Sequence, residues 1–292
     1  GSLVGEDTLR WAYSLVDSPA NDRFDLFHFE TRRSSDGSIS VAVTGGNDTL
    51  IGNDDTQLSF EYAQLAGPVA QGILFDARSG RVSYAVQSGN EIEQASVVFS
   101  GVNRVVGTDR DDTLGGGVFE AFEHFRGDGG NDTIEGRGGF DLADYSSASE
   151  GVEVLLASGR VSGGPTSGID QIRGIEAIRG TAFNDVIDAR GFSAASVNHG
   201  EVGSAGHFNM VQPMGGDDTI LGNGATRLDY TLSLLPLRVE LGGGFADVLN
   251  LGDRESPAYA AVGRDVFDGV SQVKGSLFND RLVGGGAGNP WG

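Results

Sequence analysis

The chain has 292 residues, with 48 glycines, seven prolines and no cysteine, and its formal net charge is −21 at pH 7. A chain this acidic lacks the basic surface that neutralises phosphates, which excludes nucleic acid as a partner. The absence of cysteine excludes disulfides and thiolate metal sites, and no run of 18 apolar residues exists for membrane insertion. Many glycines with few prolines favour short strands joined by tight turns.

The first 43 residues carry no clear motif. Residues 39–43 read ISVAV, a pattern that predicts a strand, so we interpret residues 1–43 as an N-terminal flank that ends a preceding unit. Helix signals are scarce, and only residues 18–29 and 119–125 suggest short helices.

A double-glycine turn occurs three times, at residues 45–50, 129–134 and 215–220, which read GGNDTL, GGNDTI and GGDDTI. The last aspartates of these turns, Asp48, Asp132 and Asp218, lie 84 and 86 residues apart (132 − 48 and 218 − 132). A fixed internal period is typical of solenoids and arrays. We therefore expect residues 44–292 to form one array, with units at about 44–128, 129–214 and 215–286.

A second element alternates with the first, at residues 101–114, 174–187 and 269–282. Each copy has an alternating apolar stretch, a Gly-Thr or Gly-Ser turn, an aspartate (Asp112, Asp185 or Asp280) and an aliphatic residue two positions later. Alternation of this kind predicts half-buried strands. The frame thus indicates a strand, a tight turn that collects oxygen ligands, and the start of the next strand.

Two consecutive nonapeptides carry the strongest motif: residues 127–135 read GDGGNDTIE and residues 136–144 read GRGGFDLAD. They resemble the RTX, or haemolysin-type, calcium-binding repeat, whose pattern is G-G-x-G-x-D-x-U-x with U a large aliphatic residue. The resemblance covers residues 45–286 and implies an all-β, right-handed parallel β-roll or β-helix solenoid with calcium ions along its turns. The long uninterrupted tandems of the family are absent, because most turns of this chain are isolated within a unit.

Calcium prefers six to eight oxygen ligands, which glycine-rich turns supply as carbonyls and aspartates supply as carboxylates. In the family, neighbouring turns complete each other's sites. Asp112 and Asp132, 20 residues apart, are expected to share an ion, and Asp185 and Asp218, 33 apart, can do so if the segment around 199–207 loops out. The calcium ligands that the resemblance implies are Gly46, Asp48, Asp109, Asp112, Gly127, Gly129, Asp132, Gly136, Gly138, Asp141, Asp185, Asp218 and Asp280. A second interpretation needs no metal: Asx-type hydrogen bonds close the turns.

The expected function follows from the resemblance. RTX proteins leave the cell by type I secretion and fold on meeting extracellular calcium, so we expect a calcium-binding structural module of a larger secreted or cell-surface protein, such as an adhesin, surface layer or toxin. No H-E-x-x-H or G-x-S-x-G motif occurs, so the sequence gives no catalytic site and we do not expect an enzyme.

Two alternatives remain open. One is a β-helix enzyme that modifies an acidic or neutral polysaccharide, which an open groove lined by Lys or Arg with a Tyr or Asp would favour. The other is an adhesion module that binds a carbohydrate or a host or cell-surface protein through insertions at residues 188–214 or 242–264.

Overall fold

The computed structural model describes residues 14–16, 23–25, 39–43, 46–61, 63, 65, 71–88, 90–117, 122–200, 206–249, 259 and 262–285. This part of the chain is all-β, and its twenty-two strands form one mixed sheet. The strands are β1 (Ser14–Val16), β2 (Arg23–Asp25), β3 (Ile39–Ala42), β4 (Asn47–Ser59), β5 (Leu74–Asp76), β6 (Arg81–Ser88), β7 (Glu91–Thr108), β8 (Thr113–Gly115), β9 (His124–Asp128), β10 (Thr133–Glu135), β11 (Leu142–Asp144), β12 (Glu153–Leu155), β13 (Arg160–Ser162), β14 (Ile169–Arg173), β15 (Ala177–Arg179), β16 (Val186–Asp188), β17 (Asn209–Gln212), β18 (Thr219–Asp229), β19 (Leu237–Glu240), β20 (Phe245–Val248), β21 (Arg264–Lys274) and β22 (Arg281–Val283).

One set of strands, here called the parallel series, runs through the described chain without a reversal. Its order is β1, β3, the second half of β4, the second half of β7, β9, β11, β15, β17, and the second halves of β18 and β21. Period-2 alternation places one residue of each strand in a shared column that faces the core. The column contains Val41, Leu58, Val105, Phe125, Ala143, Ile178, Val211 and Leu228, all buried.

A second set, the mixed series, contains both parallel and antiparallel neighbours. It begins with β2 and the first halves of β4 and β7, then reverses through β6 and β5 before continuing in parallel with β8, β10 and β14. The same reversal recurs through β13 and β12, and again through β20 and β19. Each unit therefore contains two antiparallel strands between the parallel strands of the mixed series, and for this reason the sheet is not purely parallel.

The core lies between the two series as one apolar cluster that extends from Val41 to Phe267. In the mixed series its column includes Leu50, Phe75, Leu114, Ile134, Ile172, Val154, Ile187 and Ile220. Side chains stacked in this way remove apolar surface from water along the whole row of strands.

The N-terminal flank belongs to the same sheet, because β1 pairs with β3 and β2 pairs with β4. The short helices suggested at 18–29 and 119–125 are wrong where the structure describes them, since residues 23–25 and 124–128 are strands. Phe125 shows the reason: it occupies the buried column of the parallel series and pairs with Val105. The other residues of those two segments mostly lie outside the described ranges. Across the described residues we find no helix with the length and apolarity of a membrane span.

The two segments interpreted as insertions contribute to the packed structure. In the first, Phe192 is buried and Asn198 bonds both the N–H and the carbonyl of Ile175. In the second, β20 pairs with β19 and β21, so it is part of the mixed series. Residues 201–205 and 250–258 lie outside the described ranges.

Candidate metal centre

Each repeated aspartate is placed where a turn enters a strand of the mixed series. Asp112, Asp132, Asp185 and Asp218 directly precede β8, β10, β16 and β18, and all four are at most 2 % exposed. The aliphatic residues two positions later, Leu114, Ile134, Ile187 and Ile220, point into the core and are equally buried. The motif therefore combines a core residue with a carboxylate that the fold withdraws from water.

The buried aspartates stack in two columns joined by side-chain to backbone hydrogen bonds. Oδ1 of Asp132 accepts the N–H of Asp112 at 2.8 Å, and Oδ1 of Asp170 accepts the N–H of Asp132 at 2.8 Å. In the next unit Oδ1 of Asp218 accepts the N–H of Asp185 at 2.8 Å. Both aspartate pairs that the sequence spacing brought together are thus neighbours. The residues between the second pair do not simply loop out, because they include the buried Phe192 and the paired strand β17.

An outer column runs beside the buried one and bonds in the opposite direction. Oδ1 of Asp111 accepts the N–H of Asn131 at 2.7 Å, and Oδ1 of Asn131 accepts the N–H of Ile169 at 2.9 Å. Asn184 repeats this arrangement by accepting from the N–H of Asp217. Turns interrupt the backbone ladder, and a buried N–H without an acceptor is costly. The Asn-Asp dipeptide supplies acceptors to the strands on both sides.

Each column ends at a tyrosine. The hydroxyl of Tyr230 donates to Oδ2 of Asp265 at 2.7 Å. In the preceding unit Tyr145 occupies the equivalent position near Asp170, and its buried hydroxyl has no hydrogen-bond partner among the described residues. The first unit has Phe60 and Val97 at the two equivalent positions, both buried. The hydroxyl and the carboxylate are therefore present together or absent together.

The Gly-Thr turns use their carboxylates completely. Oδ2 of Asp112 accepts the N–H of Thr108 at 2.7 Å, while Oδ1 accepts the N–H of Ile73 at 2.6 Å. Asp185 has the same two kinds of bond, from Thr181 and Val152. In the third turn Oδ1 of Asp280 accepts from Leu237 N–H and from the Ser276 hydroxyl. In the first two turns both carboxylate oxygens accept hydrogen bonds, and we call the turns of Asp112 and Asp185 closed turns.

In the double-glycine turns of Asp132, Asp141 and Asp218, one carboxylate oxygen makes no hydrogen bond within the described part of the chain. Oδ2 of Asp132, Asp141 and Asp218 is buried and has no hydrogen-bond partner among the described residues. The residue four positions before each aspartate has a left-handed backbone, with φ of 65° at Asp128, 67° at Arg137 and 73° at Met214. Thr108 and Thr181, at the same place in the closed turns, do not adopt it. We call this second class open turns.

Glycine gives the carboxylates their space. A Cβ atom on Gly127 would lie 1.9 Å from Oδ2 of Asp132, and one on Gly136 would lie 2.6 Å from Oδ2 of Asp141. The closed turns have the same requirement at Gly107, where a Cβ would lie 2.2 Å from Oδ2 of Asp112. The glycine five positions before the aspartate is thus required by the carboxylate that covers it, and at Gly136 also by the carbonyl oxygen of Gly174, which would lie 2.1 Å from a Cβ.

The open-turn carboxylates lie in an unfavourable electrostatic environment. Burial, and then the neighbouring charge of Asp170, raises the pKa of Asp132 to about 9. Burial and the charge of Glu123 raise the pKa of Asp141 to about 9. Burial and the charge of Asp265 raise the pKa of Asp218. Burial also raises the pKa of Asp112, but the hydrogen bonds that its carboxylate accepts offset part of this effect, and the pKa reaches about 7. Burial and neighbouring carboxylates thus disfavour the ionised forms of Asp132, Asp141 and Asp218, and a proton or a cation would offset that cost.

A further carboxylate column was missed by sequence reasoning. Glu123 and Glu176, both buried, flank Asp141: Oδ1 of Asp141 accepts the N–H of Glu123 at 2.9 Å, and Oε2 of Glu176 accepts the N–H of Asp141 at 3.1 Å. Neither glutamate follows the nonapeptide pattern, and their stacking depends on register alone. The register of β11, β15, β17 and β18 sets Arg227 of the third unit in line with Leu142.

The remaining predicted ligands occupy different environments. Asp48 is buried in the double-glycine sequence of the first unit, two residues after Gly46, which has a φ of 93°. Gly129 and Gly138 are buried in open turns, and Asp109 is exposed. In the described ranges no three His, Cys, Asp or Glu side chains converge as a metal-ligand group. A cation at an open turn would therefore take most of its ligands from backbone carbonyls, as calcium can.

A buried charged row on the outer side of the parallel series serves a structural role. Nε2 of His124 and a guanidinium nitrogen of Arg179 each lie 2.7 Å from Oδ2 of Asp144, and Arg179 also bonds Gln212. Burial alone would raise the pKa of Asp144, but His124 and Arg179 hold it well below its usual range. Because His124 and Arg179 both bond the same oxygen of Asp144, the charged groups of this row are paired with one another.

Comparisons with known proteins give no family assignment: the chain matches no protein-family model and no curated protein. The resemblance to RTX repeats accordingly depends on the turn motifs themselves.

Proposed function

We propose that this chain is a calcium-binding structural module of a larger secreted or cell-surface protein. Its mixed sheet would be a right-handed β-roll or β-helix solenoid whose ions lie at the open turns. The observation that carries the proposal is the buried, unbonded Oδ2 atom that recurs at Asp132, Asp141 and Asp218. If protein hydrogen bonds alone closed these turns, a buried carboxylate oxygen without a partner would not recur in three separate turns.

Calcium fits the donor set. The turns offer oxygen ligands only, one carboxylate each with glycine-rich backbone around it, and calcium is a hard cation that accepts carbonyl and carboxylate oxygens alike. Asp132, Asp141 and Asp218 would hold the ions, with Asp48 at the equivalent position of the first unit. A bound cation would supply the positive charge that the buried aspartates lack.

The closed turns are proposed to be structural. Both oxygens of Asp112 and of Asp185 accept backbone N–H groups, so their lone pairs already face donors. Of the two interpretations of the turn motif, Asx-type closure applies to the Gly-Thr turns and metal binding to the double-glycine turns.

Calcium stoichiometry of matched variants tests this division. Asp132→Asn keeps the acceptor for Asp112 N–H but removes the carboxylate, whereas Asp112→Asn makes the same change in a closed turn. Isothermal titration should show that Asp132→Asn binds fewer calcium ions than the parent chain and that Asp112→Asn binds the same number. Equal loss in both variants, or none in either, would refute the assignment.

A further inference from the structure

A cleft of about 480 Å³ lies at one corner of the sheet, beside the open turn of Asp132. Its volume is within the range of small-molecule sites. Most of the side chains that line it are polar, with Pro165 as the apolar exception; the polar ones are Glu61, Thr108, Asp109, Arg126, Asp128, Ser147 and Thr166. Five separate segments of the chain meet there, from the turn after β4 to the loop that follows β13.

The central groups of the cleft are held in place before any ligand arrives. Nε of Arg126 lies 2.8 Å from Oδ1 of Asp128, and the Ser147 hydroxyl donates to the same oxygen at 2.6 Å. Arg126 also lies 3.7 Å from a carboxylate oxygen of Glu61. Fixed side chains lose little rotamer freedom when they bind, which favours recognition of a small polar ligand.

The repeats of this chain show that the turn itself does not require these polar residues. At the place of Asp128 the third unit has Met214, which adopts the same left-handed backbone. At the place of Asp109 the other two Gly-Thr and Gly-Ser turns have Ala182 and Leu277. The glycines and buried aspartates of the turns are kept, while the residues at the places of Asp128 and Asp109 vary between charged and apolar. The charged side chains of this cleft are therefore not required by the turn motif itself.

We propose that this cleft binds a neutral saccharide. Carboxylates that accept and a guanidinium that donates match pairs of adjacent sugar hydroxyls, which offer both donors and acceptors. Three carboxylates against one guanidinium leave the lining negative, so it repels uronates and sulfated sugars. The lining contains no aromatic ring among the described residues, and affinity therefore depends on hydrogen bonds and lies in the millimolar range, about 1 mM.

The chain supplies its own substitutions for the test. Asp128→Met and Asp109→Ala copy residues that the other repeats tolerate, so both variants should keep the fold, and circular dichroism checks this. Ala182→Asp adds the same carboxylate to an equivalent turn that lacks the cleft, as the matched control. Saturation-transfer NMR and calorimetry, at one fixed calcium concentration, would use methyl glycosides of glucose, galactose and mannose, their disaccharides, and galacturonate.

The proposal expects at least one neutral saccharide to bind and galacturonate not to bind. Asp128→Met and Asp109→Ala should each weaken that binding about tenfold or more, and Ala182→Asp should leave it unchanged. Absence of binding across the panel would overturn the proposal, and so would binding that survives both cleft variants. A lost calcium ion in these variants without saccharide binding to the parent chain would instead identify a cation cleft. Because the calcium content is measured separately, these results leave the assignment of the open turns intact.

Discussion

The backbone nitrogen of Thr108 lies 2.7 Å from Oδ2 of Asp112, and this bond is what the turn around Asp132 lacks. The two aspartates are stacked neighbours, bonded through the N–H of Asp112, yet only one has its carboxylate fully used. One short motif thus gives two chemical environments. The difference follows from the backbone at Asp128, which is left-handed where Thr108 is not.

The first prediction concerns stability without calcium. Asp132→Asn should stabilise the chelator-treated protein at pH 7, by about 1–3 kcal/mol, because it removes a group whose ionised form is buried without a counter-charge. Asp112→Asn should destabilise it by about 1–3 kcal/mol, because an amide nitrogen would face the N–H of Thr108. Urea unfolding of the two variants and the parent chain measures both effects. Destabilisation of similar size in both would contradict the distinction between the turns.

The second prediction concerns pH. Burial raises the pKa of Asp132 to about 9 from 3.8, so between these values the folded state binds more protons than the unfolded state. The stability of the calcium-free protein should therefore be greatest near pH 4 and fall as pH rises towards 9. Saturating calcium should remove this fall, since a bound cation takes the place of the protons. Thermal unfolding between pH 5 and 9, with chelator and with calcium, provides the measurement; a flat profile in chelator would be inconsistent with buried, unpaired carboxyls.

The third prediction uses two glycines of the same turn. A Cβ on Gly127 would meet Oδ2 of Asp132 at 1.9 Å, whereas the nearest atom to a Cβ on Gly129 is 3.4 Å away. Gly127→Ala should cost about 1–3 kcal/mol of stability and lower the number of bound calcium ions. Gly129→Ala should be tolerated within about 1 kcal/mol. Equal losses would mean that glycine is required by the turn as a whole and that the carboxylate is not the cause.

The fourth prediction tests the tyrosine at the end of each column. Tyr230→Phe leaves Oδ2 of Asp265 without its donor in a buried position, and should cost about 1–3 kcal/mol. In the first unit both equivalent positions are apolar, because they are occupied by Phe60 and Val97. The double variant Tyr230→Phe/Asp265→Val should therefore lose less stability than the two single variants together. Additive losses in denaturant unfolding would show that the two positions are not coupled.

Much of this arrangement was accessible from the sequence. The 84- and 86-residue spacings of Asp48, Asp132 and Asp218 predicted a repeat, and period-2 alternation predicted β-structure throughout. The proximity of Asp112 to Asp132 followed from counting residues between similar turns. The β-structure and the proximity of the two aspartates are confirmed. The second inference succeeds because glycine at a fixed distance from a buried aspartate is a local requirement that the sequence displays directly.

Other features depend on register and could not be predicted. Glu123 and Glu176 stack on Asp141 only because three strands align, and nothing in their local sequence indicates it. The antiparallel strands that interrupt the mixed series resemble any other alternating stretch. The unequal use of the carboxylates of Asp112 and Asp132 depends on one backbone angle, which the sequence does not state.

The most direct measurement of the central claim is a calcium titration of the chelator-treated protein, followed by circular dichroism and differential scanning calorimetry. Binding to the folded state alone adds stability that increases with the calcium concentration. The account predicts that several ions bind, that the unfolding temperature rises with calcium, and that magnesium has a much smaller effect because it demands a smaller, more regular site. An unfolding temperature that calcium leaves unchanged would contradict the account and assign every glycine–aspartate turn a structural role only.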